Sequence, residues 1–213
     1  MLPDRYTLDM EPCDLSTNRL SLRCPTSADI DRVTGICGDP EIAAFTDVPD
    51  PYRRDDARQF IEDVIPNGWS TGTMLTWGIY RRADPDILGV LSLSEVRDGS
   101  ADLGYWIDRR VRGHGFMTEA VERVVDYGFA AAPTGLGLTR IGWEAFADNI
   151  ASARVAKKVG FTLEGIRRQA VLRGDRRHDL TVAGLLREDA RGAHHWSSAE
   201  VQTDSSLPPG SRN

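Results

Sequence analysis

The sequence predicts an α/β domain: a mixed sheet with helices on both faces. Three observations carry this. Apolar residues recur at every second position in several separate segments, the period of a strand with one buried face. The early segments follow one another through tight turns, as hairpins do. The later ones are separated by stretches of helical period. Hairpins exclude an all-parallel doubly wound sheet, and intervening helices exclude an all-hairpin one.

Taken in order, Leu20, Leu22 and Cys24 alternate with polar residues and make a first strand. Thr26 with Asp29 resembles a capping box, and Ile30 and Val33 give the buried stripe of a short helix. Pro40 opens a second helix from its first turn. Asp55 to Ile65 is a third, with Phe60, Ile61 and Val64 on one side. Met74 to Arg82 and Asp86 to Val96 form a hairpin around Ala83-Asp84-Pro85-Asp86. Asp98-Gly99 turns the chain into a further strand, with Leu103, Tyr105 and Ile107 on one face and Asp102, Gly104 and Trp106 on the other. A helix runs from Met117 to Phe129 on a stripe of Met117, Ala120, Val121, Val124 and Val125. Ile141, Trp143 and Ala145 mark the next strand. Asn149 caps a short helix that Gly160 stops, and a last hairpin turns at Gly174-Asp175. Residues 1–14 form an N-terminal extension, 15–190 one domain, and 191–213 a polar, Ser/Pro/Gly-rich tail expected to be mobile.

Composition bounds the function. The chain has 213 residues, 40% hydrophobic and 27% charged, enough for one sizeable core. A net charge of −6 excludes a globally basic nucleic-acid binder. Arginines nevertheless cluster at Arg109, Arg110 and Arg112, and again at Arg167, Arg168, Arg173, Arg176 and Arg177. Cys13, Cys24 and Cys37 have neither pairing arithmetic nor zinc spacing, which fits a reducing cytoplasm and no metal. No signal peptide or membrane span is apparent.

Between a strand and a helix stands Arg109-Arg110-Val111-Arg112-Gly113-His114-Gly115-Phe116. A helix N-terminus presents unpaired N–H groups and positive potential, which suits a phosphate. Glycine lets the backbone approach it closely. The nucleotide templates GxxxxGK(S/T) and GxGxxG both fail here, because no Lys follows and the third glycine position is Thr118. On spacing alone, a plain glycine turn with surface arginines is the better fit.

Two stretches read together go further. Arg110-x-x-Gly113-x-Gly115 resembles the Gln/Arg-x-x-Gly-x-Gly/Ala signature of the GCN5-related N-acetyltransferases, the GNAT superfamily. Asn149-x-x-Ser152 followed by Lys158-Val159-Gly160-Phe161 resembles the second conserved segment of that family. The stretch from Ala101 to Ala120 is especially similar to the RimJ/RimL-like branch. The resemblance spans about residues 15–188.

It implies a mixed, mostly antiparallel central sheet with helices on both faces, and a V-shaped split between two central strands, opened by a bulge. It implies acetyl-CoA as cosubstrate, no metal, and a primary amine as acceptor, either a protein N-terminus or a small molecule. The diphosphate is expected on the backbone of Arg112, Gly113, His114, Gly115, Phe116 and Met117, with Arg110 beside it. The pantetheine arm is expected along the strand at Trp106, Ile107 and Asp108, with a second contact at Asn149. The amine must attack neutral, so a base is needed, and Asp102 and Glu95 compete for that role. The thiolate leaves with a free pKa near about 8.5, so a weak acid suffices. Many family members carry a Tyr seven residues after the motif Asn, but here that position is Ala156. Ser152 takes the acid's place in the RimL-like branch. A non-catalytic acyl-CoA-binding regulator is the alternative, and a homodimer stays open.

Overall fold

The computed structural model describes residues 10–193 and Trp196. Eight strands form one sheet: β1 (Leu15–Ser16), β2 (Leu20–Arg23), β3 (Met74–Arg81), β4 (Ile87–Arg97), β5 (Ser100–Ile107), β6 (Arg140–Phe146), β7 (Thr162–Arg173) and β8 (Arg176–Leu186). Their order is β1-β2-β3-β4-β5-β6-β8-β7. Only β5 and β6 run parallel, and every other neighbouring pair is antiparallel.

The helices are α1 (Ile30–Cys37), α2 (Pro40–Phe45), α3 (Arg54–Gln59), α4 (Ile65–Thr71), α5 (Phe116–Phe129) and α6 (Ile150–Val159). They cover both faces. One core joins α5 and α6 to Leu22, Trp77, Leu91, Leu103 and Trp143. On the other face Tyr80 and Val90, whose sheet neighbours Ile79 and Leu91 point into the first core, pack with Val33 and Ile36 of α1 and Ala57 of α3. This alternation follows from the period of two along each strand.

Turn chemistry sets the connections. Asp98 and Gly99 both adopt positive φ, 51° and 75°, the two-residue turn that matches strand twist. Asn149 caps α6 by accepting from Ser152 N–H at 3.1 Å, and Gly160 stops it at φ 111°. Asp29 accepts from Thr26 N–H at 2.8 Å, ahead of α1.

The third expected helix is longer than its sequence pattern suggests. Residues Arg54 to Thr71 are continuously helical, but Phe60–Val64 is a π-helical turn. Pro66 has no N–H to return to the carbonyl of Glu62, and the wider turn absorbs that missing bond. The extra residue rotates the face, so Val64 is 40% exposed whereas Ile61, Ile65 and Trp69 are buried.

The ends are partly described. Cys13 accepts from the Trp77 indole at 2.8 Å, so residues 10–14 lie against the domain. Trp196 is buried, donates to the Phe161 carbonyl at 2.9 Å and tilts against Trp143 with ring centroids 5.8 Å apart. The mobile tail otherwise expected, with His194 and His195, and residues 1–9 lie outside the described residues. Among the described residues no helix is long and apolar enough to cross a membrane.

Candidate functional site

The sheet splits where β5 leaves β6. The two pair from Ser100↔Arg140 to Leu103↔Trp143, and their ladder stops there although both strands continue. The expected bulge does not lie along Leu103 to Ile107, where β5 stays in register with β4. The irregularity sits earlier, between Ser94 and Arg97. Asp108 N–H donates to the Leu88 carbonyl at 2.8 Å, on the β4 side. Edge groups alternate, so the N–H of Tyr105 and Ile107 point into the split.

Two cavities open on this gap. The first, about 410 Å³, lies between β5 and the start of α5 and α6. Trp106, Ile107, Arg112, Gly113, Gly115, Phe116, Met117 and Asn149 all line it, as do Arg154 and Lys158 of α6. Gly113 and Gly115 adopt φ 80° and 78°, a region that side chains rarely enter. No side chain caps the N-terminus of α5, so its first N–H groups are free to receive an anion. A Cβ at Gly113 would meet nothing within 4 Å, so the backbone there is open to a ligand. These features fit a diphosphate. Arg112 is at present held by Glu41 of α2 at 2.6 Å.

The second cavity, about 490 Å³, lies on the far side of the split. Its walls are Phe45, Tyr52, Phe60, Trp106 and Trp143, with Asp47, Asp56 and Glu144. Tyr105, Trp106, Asn149 and Ser152 belong to both cavities, so the two meet there.

At the junction sits a small closed network. Ser152 Oγ donates to Tyr105 Oη at 3.0 Å, and Tyr105 Oη donates to the Ser152 carbonyl at 3.0 Å. The Trp143 indole donates to Ser152 Oγ at 3.2 Å. Burial pushes the Tyr105 phenol well above its ordinary pKa, against the opposing pull of the Ser152 and Trp143 hydrogen bonds. The pair therefore holds its protons throughout the physiological range. Sequence reasoning placed Tyr105 only on a strand face with Leu103 and Ile107, and its hydroxyl had no local signal. Where the family pattern led to Ala156, this chain buries a methyl in the core and brings a phenol in from β5 instead.

Other expected residues are placed elsewhere. Asp108 is 3% exposed and its carboxylate binds Arg32 at 2.5 Å and the Arg110 guanidinium at 2.9 Å. Asp108 and Arg110 pair with each other, and neither lines the first cavity. The His114 ring stacks 5.8 Å from Phe116 with Nδ1 against the Arg112 carbonyl at 3.0 Å, also outside the lining. Asp102 and Glu95 line neither cavity. Asp102 lies across Gly142 of β6, where a Cβ would stand 2.4 Å from Oδ1. Glu95 sits at φ 52° in the β4 irregularity and pairs with exposed Arg97 at 2.9 Å. The carboxylates that reach the second cavity come from the α2–α3 connection, α3 and β6. Among the described residues no group of three or more His, Cys, Asp or Glu is placed to hold a metal.

Comparison with known proteins agrees with this architecture. The family model for the acetyltransferase (GNAT) domain matches residues 19–162. The uncharacterized N-acetyltransferase YoaA of Bacillus subtilis is 29% identical over 175 residues, covering 81% of this chain and 96% of that protein. The ribosomal-protein-serine acetyltransferase of Escherichia coli is 29% identical over 101 residues, covering 46% of this chain and 54% of that protein. In fold, the chain is similar to RimL, a ribosomal L7/L12 alpha-N-protein acetyltransferase solved in complex with coenzyme A, at a TM-score of 0.71 and 21% identity over 80% of this chain and 95% of that one. With the split sheet, the glycine turn before α5 and a family match over most of its length, this chain belongs to the GNAT acetyltransferases and is an acyltransferase.

Proposed function

We propose that the chain acetylates a primary amine with acetyl-CoA as donor, by direct attack and without a protein nucleophile. The observation that carries this is the junction: two cavities on opposite sides of the split share the Tyr105–Ser152 hydroxyl pair.

Acetyl-CoA supplies an activated acyl thioester. The uncapped start of α5, with Gly113, Gly115 and Arg112, holds its diphosphate. Arg154 and Lys158 add positive charge to the same cavity. The Tyr105 and Ile107 N–H groups on the open edge of β5 orient the amide-bearing arm, and one of them faces the oxygen on which charge develops. Ser152 and Tyr105 deliver a proton to the departing sulfur. Tyr105 gives its hydrogen to the sulfur, the bond that Ser152 Oγ donates stabilises the phenolate left behind, and solvent restores the phenol proton. Glu144, which β6 carries from the split into the acceptor cavity, accepts the amine's proton directly or through water. It takes the role first sought at Asp102 and Glu95.

The relatives named for ribosomal proteins make a protein N-terminus one acceptor to test, beside small amines. The experiment is thiol release from acetyl-CoA over a panel of peptides and small amines. Amine-dependent release supports the reading. Tm raised by CoA with no release for any amine overturns it in favour of a non-catalytic binder.

A further inference from the structure

We infer that the preferred acceptor carries a second positive charge beyond the nitrogen that is acetylated: it is a short diamine. This names the substrate class of the proposed acetyltransferase and rests on that reading.

The sign of charge changes across the Tyr105–Ser152 junction. On the cofactor side the lining cations Arg112, Arg154 and Lys158 outnumber the one carboxylate, Glu41. On the acceptor side every charged side chain in the lining is an acid, and no Lys, Arg or His stands among them. Glu144 is already answered by Arg167 at 2.9 Å. Asp56 accepts from the Arg53 backbone N–H at 2.7 Å and forms no ion pair among the described residues. Asp47 is exposed to the cavity mouth with no ion pair among the described residues. The aromatic faces of Tyr52, Phe60 and Trp106 share this wall, and such faces attract ammonium groups.

This wall is a poor receptor for an acceptor with a single amine. Unanswered carboxylates near one ammonium keep it protonated, and a protonated amine does not attack. A second ammonium resolves the conflict. It occupies Asp47 and Asp56 on the outer wall, while the first nitrogen reaches the split and loses its proton there.

The arginine-rich β7–β8 hairpin supplies no residue to the lining of this cavity. Arg167 is spent on Glu144. Arg173 donates to the carbonyls of Ala44 and Thr46, and Arg177 donates to that of Gln169 at 3.0 Å. None of the hairpin's arginines lines the cavity, and Arg168 and Arg176 are exposed.

The test compares kcat/KM for three probes of equal chain length, diaminobutane, butylamine and aminobutyrate, with the full chain and saturating acetyl-CoA. Diaminobutane is expected to lead butylamine by about tenfold, the scale of one charge-assisted contact partly open to water. Aminobutyrate, with an anion in place of the second ammonium, should be the poorest. In Asp47→Asn/Asp56→Asn the diamine advantage should collapse towards one, while the rise in Tm caused by CoA stays. Equal kcat/KM for butylamine and diaminobutane, or an advantage that survives the double substitution, overturns the inference. Calorimetric titration of the same amines into the CoA-loaded protein reads the preference without turnover. Preference without chemistry overturns the transferase reading alone, whereas equal affinities overturn the second charge.

Discussion

Replacing Tyr105 with Phe removes one oxygen and tests whether the Tyr105–Ser152 pair acts as a unit. The phenol makes two contacts of 3.0 Å, both with Ser152. At about 0.5–1.5 kcal/mol net for each neutral hydrogen bond, Tyr105→Phe should cost about 1–3 kcal/mol of stability. For a domain of this size that lowers Tm by about 2–4 °C per kcal/mol. Ser152→Ala loses one of the same two bonds and also strands the buried Trp143 N–H, which adds about 1–3 kcal/mol. The bond between the two hydroxyls is counted in both single variants but lost once in the double. The double variant should therefore be more stable than the sum predicts, by about 1 kcal/mol. Turnover follows the same logic. If the hydroxyls pass one proton to the sulfur, either substitution breaks the relay. Each single variant and the double should then lose about 10²-fold in kcat, the low end for general acid catalysis because a thiolate leaves easily. Affinity for CoA, measured by calorimetry, should hardly change. Two outcomes sink the relay: Tyr105→Phe turning over at the wild-type rate, or losses in the double that multiply.

The remaining expectations test the cradle, its counter-ion and the core. Gly113→Glu puts a carboxylate at φ 80° in open space, so it should fold with a penalty of about 1–2 kcal/mol yet lose the CoA-induced rise in Tm; wild-type affinity means the diphosphate binds elsewhere. Glu41→Gln frees Arg112 from its 2.6 Å partner and should tighten CoA by about two- to fivefold with a steeper salt dependence, measured as Kd against ionic strength. Asp29→Ala removes the acceptor of the Thr26 N–H and of the buried Tyr80 hydroxyl at 2.9 Å, and should cost about 2–4 kcal/mol in urea unfolding. Burial pushes the Cys24 thiol to about 11 and the Cys37 thiol to about 12, and raises the phenols of Tyr52, Tyr80 and Tyr127 as well. Folded pKa values above unfolded ones mean the native chain keeps protons that the unfolded chain releases. Stability should thus be intact below about pH 8.5 and fall as pH rises beyond it, and a urea midpoint that stays flat to about pH 11 contradicts this.

What the sequence made legible was local. The Asn149 cap, the Gly160 stop, the Asp98-Gly99 turn and the α5 stripe each depend on residues a few positions apart, and each stands as read. The glycine turn was equally local, because positive φ and an uncapped helix start lie within Gly113 to Phe116. Side-chain partners were less legible. Arg110 and Asp108, two residues apart on a tight turn, bind each other, and Arg32 closes the group from 76 residues away. Asp102 has the right strand and the right face, yet the glycine opposite it on β6 gives its carboxylate somewhere else to lie.

The hydroxyl pair at the junction shows why the remainder was hidden. Ser152 and Tyr105 are 47 residues apart, and a strand pattern says only that Tyr105 shares a face with Leu103 and Ile107. Whether its hydroxyl meets core or ligand depends on where β5 and β6 part. Pairing through Leu103↔Trp143 and no further leaves Tyr105 as the first residue of its face beyond the ladder. One more rung would close β6 over Tyr105 and remove the junction between the cavities. One fewer would open Leu103, which is 4% exposed and belongs to the core. The length of the β5–β6 ladder, a property of two strands separated by a whole helix, therefore decides which side chain stands at the junction of the two cavities. That length cannot be read from either strand alone, because the alternation of apolar residues is the same on both sides of the point where the strands diverge.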